Sequence, residues 1–221
     1  MTPQGVGLDQ SRVFTCQQSG HCCRDPKLIV TLTHRDMYLL YVAIEQEFQF
    51  LLKKIAFYTL EDIWDEKIRE RLVLHPIQTS RGLVIPGLRK HSGGECVFYV
   101  EPDCGIYQYR PLACRLYPFA FRKSEDSNAP ITVWTKNATK TCRGIGRGGL
   151  TLDSELHEMG QRYFEEVRKH NDMVKNLNLE ATQDIPLTAR ESVWVSIVYA
   201  QAEVKKEREE TPSVFHDTVR L

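Results

Sequence analysis

Apolar residues recur at helical spacing through Leu39, Leu40, Ala43, Ile44, Phe48, Leu51, Leu52 and Ile55, which predicts a helix over residues 33–58. Thr33, followed three residues later by Asp36, supplies a capping-box-like start for it. A second helix is expected over 60–74, stopped by Pro76. A long amphipathic helix over 153–176 carries Leu156, Met159, Tyr163, Phe164, Val167 and Val174 along one side. A last helix, over 188–209, starts at the Thr188/Glu191 capping box. It passes through Trp194, Ile197, Val198 and Ala200 and ends in the run KKEREE, a solvated terminus. Residues 211–221 read as a loose tail. Strand-like stretches are short: 28–33, 79–88 with an interruption at Pro86-Gly87, 96–100, and 131–135. The expected fold is mainly α with a small β element, its cysteine-rich loops held on a helical scaffold. Residues 1–150 are expected to form a cysteine-cluster metal-binding domain and 151–221 a helical extension packed on it.

Composition narrows the function classes. Of 221 residues, 42% are hydrophobic, enough for a sizeable core, and 29 Lys and Arg balance 29 Asp and Glu. A net charge of zero argues against general nucleic-acid binding or attraction to an anionic membrane. The longest apolar run, near 193–200, is too short to span a bilayer, and the N-terminus lacks the basic and apolar regions of a signal peptide. These features predict a soluble cytoplasmic chain whose partner is an unidentified protein or small molecule. Thiols stay reduced in the cytosol, so seven clustered cysteines point to metal binding rather than to a disulfide framework.

The chemistry concentrates in residues 93–119, which hold Cys96, Cys104 and Cys114 among arginines, prolines and aromatics. Cys16, Cys22 and Cys23 precede this stretch and Cys142 follows it. Thiolates are the preferred ligands of soft metals, so all seven are candidate ligands. Gly20 permits a sharp turn before Cys22-Cys23, and Pro26 stops a helix after them. Adjacent side chains diverge, so Cys22 and Cys23 are expected to serve different sites, or one serves while the other packs. His21 is a candidate extra ligand, against the plainer reading of a solvent-facing loop histidine. Arginine directly follows three cysteines, as Arg24, Arg115 and Arg143, and Arg110 lies close by. Their guanidinium groups would offset the negative charge of a thiolate-ligated centre; the plainer reading is solvent exposure or pairing with Asp and Glu. After Cys142, the glycines at 144, 146, 148 and 149 lack the context of a nucleotide-binding loop. They suit a backbone whose N–H groups point at sulfur, or a plain linker. Phe98, Tyr107, Tyr109, Tyr117 and Phe119 could shield a centre from water or simply pack. The spacings match neither a zinc finger nor the bacterial ferredoxin run, which leaves zinc or iron–sulfur open.

The motifs themselves resemble the YkgJ-type cysteine-cluster family, whose domain is described as zinc- or iron-chelating. Gly94-Glu-Cys96-Val-Phe98, Cys104-Gly-Ile106-Tyr107-Gln-Tyr-Arg110-Pro111-Leu-Ala-Cys114-Arg115, Pro118-Phe119 and Cys142-Arg-Gly144 follow that family's second motif and last cysteine. The first motif, C-x-x-C-x-x-C-C, aligns with Cys16, Ser19, Cys22 and Cys23, so serine stands where the family has its second cysteine. Eight thiols would fill two four-ligand sites; seven leave one short, and the site nearest the first motif is expected to have incomplete thiolate ligation. The resemblance implies metal binding. Because a similar domain occurs in flagellin lysine methylases, it also implies a methyl-transfer-linked role, while the seven thiols, their arginine neighbours and the aromatics point to a redox one. A 4Fe–4S cluster is favoured because seven irregularly spaced thiols exceed the needs of one structural zinc. The alternative is a structural zinc-binding adaptor or metal-handling protein. No His/Asp arrangement around a nucleophilic cysteine is legible, so no catalytic residue is assigned.

Overall fold

The computed structural model describes residues 13–44, 48–63, 72–124, 126–127, 129–135, 138–150, 153–180, 192 and 194–198. The expected capping box at Thr188/Glu191, the charged run, the tail and most of the segment 60–74 lie outside them.

The fold is mixed α/β, not mainly α: the described residues form nine strands in four small sheets and seven helices. The largest correction falls in the expected helix 33–58. Helix α2 (His34–Ile44) and the short α3 (Phe48–Leu52) are helical, but Ile55–Thr59 is strand β2. The Lys54 N–H closes a turn on Leu51 O at 2.8 Å. Beyond that turn, Ile-Ala-Phe-Tyr-Thr is rich in β-branched and aromatic residues, which suit a strand. Helix α4 (Leu60–Ile63) follows β2 directly. The apolar spacing up to Ile55 fits a helix, and only pairing with a distant strand decides otherwise.

That strand is β4 (Gly82–Leu88), which lies between β2 and β3 (Ile77–Thr79) in an antiparallel sheet. The register runs from Ile55 opposite Leu88 to Thr59 opposite Val84. Pro86-Gly87 does not interrupt β4. The chain entering α2 covers it there: Leu32 N–H donates to Pro86 O and Leu88 N–H to Val30 O, both at 2.9 Å. The free side of β3 is met by side-chain amides of the long helix Asp153–Glu180. Asn178 Oδ1 accepts from Gln78 N–H at 3.0 Å, and Asn171 Oδ1 from His75 N–H at 2.7 Å. These amides satisfy backbone groups that would otherwise leave an open edge.

Leu32, Met37, Leu40, Leu51, Ile77 and Val84 form the main core with Val174 and Leu177 of the long helix and with Trp194. A second, smaller core gathers Phe14, Phe119, Trp134 and Leu156. It is built on two strand pairs: β7 (Phe119–Lys123) with β8 (Pro130–Trp134), and β1 (Val13–Phe14) with β9 (Ile145–Leu150). Most of the glycine-rich segment after Cys142, Ile145–Leu150, is therefore a strand rather than a plain linker, with Gly144 in the turn before it. No described helix is long and apolar enough to cross a membrane.

His170 is fully buried beneath α2, its Nδ1 accepting the His34 N–H at 3.3 Å. Burial, reinforced by His34 and His75, lowers its pKa to about 3. A histidine held neutral in the fold costs stability once the unfolded chain can protonate. Stability is therefore expected to be level above about pH 6.5 and to fall by up to about 1.4 kcal/mol per pH unit between there and pH 3. Urea titrations across that range should show the slope, and His170→Asn should flatten it; an unchanged slope in the variant would assign acid sensitivity to other groups.

Candidate metal centre

Four separated segments bring all seven cysteines to the wall of one cavity of about 110 Å³. The first segment leaves β1, carries Cys16 in an extended stretch and turns at Gly20 into the one-turn helix α1 (His21–Arg24). Gly20 has φ +62°, and a Cβ there would lie 2.6 Å from the Tyr99 ring and 2.7 Å from Pro102 O. Only glycine allows this approach of the first motif to the second. The carbonyl of Gly20 accepts from Cys23 and Arg24 N–H, both at 3.1 Å, and so starts α1.

The second segment is tied to the first through the backbone, with Cys96 N–H donating to Cys23 O at 2.8 Å. Strands β5 (Tyr99–Val100) and β6 (Asp103–Cys104) form a tight hairpin with Tyr99 opposite Cys104. A 3-10 turn at Tyr107–Tyr109 then leads into helix α5 (Leu112–Leu116), which presents Cys114. Helix α6 (Ala138–Thr141) delivers Cys142, whose N–H donates to Ala138 O at 2.8 Å. Tyr117 and Thr141 share a hydroxyl hydrogen bond of 3.0 Å that links the last two segments.

Asp36 anchors α5 from behind. Its carboxylate completes the expected capping box, accepting from Thr33 N–H at 2.9 Å and Thr33 Oγ1 at 3.0 Å, and it also accepts from Leu112 N–H at 2.7 Å. Burial raises the Asp36 pKa, against the pull of Arg115 and these donors.

The electrostatics of the thiols are uneven. The hydrogen bond from Cys23 lowers Cys22 to about 7 and Cys104 to about 6, while Cys23, shared between them, is raised. Burial pushes Cys114 well above its ordinary value and raises Cys96 and Cys142. Backbone N–H groups point at three sulfurs: Phe98 at Cys96, Ile106 at Cys104, and Gly144 and Ile145 at Cys142. Such N–H···S bonds stabilise thiolate and tune a bound centre. Soft donors with oriented N–H groups fit zinc or an iron–sulfur centre. Among the described residues no three His, Cys, Asp or Glu side chains already surround one point as ligands. The sulfurs share a cavity wall rather than a preassembled ligand cage.

The four arginines are placed differently from one another. Arg110 lines the cavity, stacks 3.8 Å over the Tyr107 ring and directs Nη1 at Cys16 Sγ, 3.9 Å away. Arg24 packs over Tyr99 and donates to Ser19 O at 3.3 Å. Arg115 turns away toward Asp36 and Glu166, and Arg143 is exposed. Of the five aromatics, Tyr107 and Tyr117 line the cavity, while Phe98 and Phe119 belong to the two cores. Sequence reasoning missed Lys90. It lines the cavity and donates Nζ to Asp25 O and to Gly94 O, the latter at 3.0 Å. Burial lowers its pKa, while Asp25, Cys96 and Cys23 act in the opposite direction. Nothing in the local pattern around Lys90 signals this placement.

A protein of Methanocaldococcus jannaschii, MJ0661, itself described as uncharacterized, is 27% identical over 160 residues, covering 71% of this chain and 69% of its own. No solved structure matches the chain. Residues 15–143, from just before Cys16 to just after Cys142, match the family described as "Putative zinc- or iron-chelating domain", and the chain belongs to this CxxCxxCC family.

Proposed function

We propose that this chain is a cytoplasmic iron–sulfur protein, with a 4Fe–4S cluster held by Cys16, Cys22, Cys23, Cys96, Cys104, Cys114 and Cys142 as the ligand pool, and with a redox or methyl-transfer-linked role. The family supports chelation of zinc or iron. The observation that carries the step to iron–sulfur is the convergence of thiols from four separated segments on one cavity, since a cluster is wider than a single zinc ion and takes ligands from distant parts of a chain. A bound cluster would supply one-electron chemistry or an iron site for a ligand. Around it the chain's own residues have defined tasks. Arg110 and Lys90 bring positive charge to the thiolates, and Tyr107 and Tyr117 wall the cavity from water. The N–H groups of Phe98, Ile106, Gly144 and Ile145 stabilise the sulfurs.

Anaerobically purified protein is expected to be brown, to absorb broadly near ~400 nm and to contain iron and acid-labile sulfide. Colourless protein with stoichiometric zinc and no sulfide would replace this reading with a structural zinc module.

A further inference from the structure

Six of the seven cysteines pack against one of the two hydrophobic cores, and the division is unequal. Cys96 belongs to the main core, and Cys23, Cys104 and Cys114 pack against it. Cys16 and Cys142 pack against the second core of Phe14, Phe119, Trp134 and Leu156. Cys22 packs with neither and lies within electrostatic range of both sets, of Cys23, Cys96, Cys104 and Cys114 in the first and of Cys142 in the second. The main-core set supplies four thiols. The second set, with Cys22, supplies three, and Ser19, where the family motif has its further cysteine, lines the same cavity.

His21 stands beside this incomplete set. It is not a solvent-facing loop residue: it opens helix α1, is half-buried and lines the cavity. Its Nδ1 is shielded from solvent and has no hydrogen-bond partner among the described residues. Successive residues of a helix are rotated by about 100°, so Cys22 lies between His21 and Cys23 around α1. Cys23 faces Cys104 and the main core. His21 is thus on the flank of Cys22 away from that set, and it lines the same cavity as Cys16 and Cys142.

We propose that the cavity forms two four-ligand centres: Cys23, Cys96, Cys104 and Cys114 hold one, and Cys16, Cys22, Cys142 and the imidazole of His21 hold the other. A neutral imidazole and three thiolates form a standard mixed donor set for zinc, and imidazole also replaces thiolate on iron in some clusters. This chain thereby substitutes nitrogen from position 21 for sulfur lost at position 19. The inference rests on the metal-binding reading but not on which metal is bound.

The test is metal content per chain together with X-ray absorption at the metal edge, and pulsed EPR for ¹⁴N coupling if the metal is paramagnetic. Wild type is expected to show two centres and one nitrogen ligand. The pair Cys96→Ala/Cys114→Ala should lose the all-sulfur centre, and Cys16→Ala/Cys142→Ala the nitrogen-bearing one, each halving the metal roughly. His21→Ala should abolish the nitrogen signal, and Ser19→Cys added to it should restore occupancy with sulfur alone. A single centre per chain, or a nitrogen signal that survives His21→Ala, would overturn the inference. Zinc with the same division would refute the iron–sulfur reading and leave the two centres standing. Protein that takes up no metal would sink both. The Ser19→Cys/His21→Ala rescue separates loss of a ligand from loss of folding, because a misfolded chain would not regain metal.

Discussion

Cys104→Ser or Cys114→Ser will lower metal content and thermal stability in the same preparation. Both residues belong to segments distant from Cys23 in sequence that line the same cavity, and Cys104 is in hydrogen-bond contact with Cys23. Metal–thiolate bonds between such segments restrict the unfolded chain much as a covalent cross-link does, an effect of about 4 kcal/mol for a long closed loop. In a chain of this size each kcal/mol moves the midpoint by about 2–4 °C, so a fall of ~10 °C is expected. Cys114 carries a second consequence. Burial holds its thiol well above the ordinary value, so it ionises only when a cation takes the proton's place, and metal uptake through it should release a proton. Metal analysis beside calorimetry checks both results. Unchanged stoichiometry in both variants would remove these residues from the ligand set.

Asp36→Ala should be comparably damaging although the residue touches no sulfur. Its carboxylate is 1% exposed and accepts hydrogen bonds from Thr33 and from Leu112, the first residue of the helix that presents Cys114. Removing it leaves those donors without their acceptor and takes one of two nearby carboxylates, with Glu166, from the half-buried Arg115. Leaving the buried Thr33 and Leu112 N–H groups unpaired costs about 1–3 kcal/mol each. Asp36→Asn keeps the shape but turns one acceptor into a donor, and about half that loss is expected. Urea unfolding of both variants, with and without bound metal, measures this. If Asp36→Ala lies within about 0.5 kcal/mol of wild type, the anchoring role is wrong. Because the helix also positions Cys114, the metal-loaded form should lose more stability than the metal-free form.

The sequence by itself determined what nearby residues decide. The cysteine motifs and their family, the turn at Gly20, the stop at Asp25-Pro26, the Thr33/Asp36 box and the long helix from Asp153 depend on contacts within a few positions, and each was legible. Tertiary structure decided what depends on distant partners. Ile55–Thr59 became a strand because β4 lies beside it, and Ile145–Leu150 became one because Val13–Phe14 pairs with its two ends. The same holds for charge. A Cys-Arg dipeptide places a cation near a thiol in the chain, but in space Arg115 turned to Asp36 and Glu166, while Arg110 and the unforeseen Lys90 reached the cavity. A side chain several bonds long can take either direction. Which one it takes is set by where burial leaves an opposite charge or an unpaired carbonyl, and that depends on the folded arrangement of segments far apart in the chain.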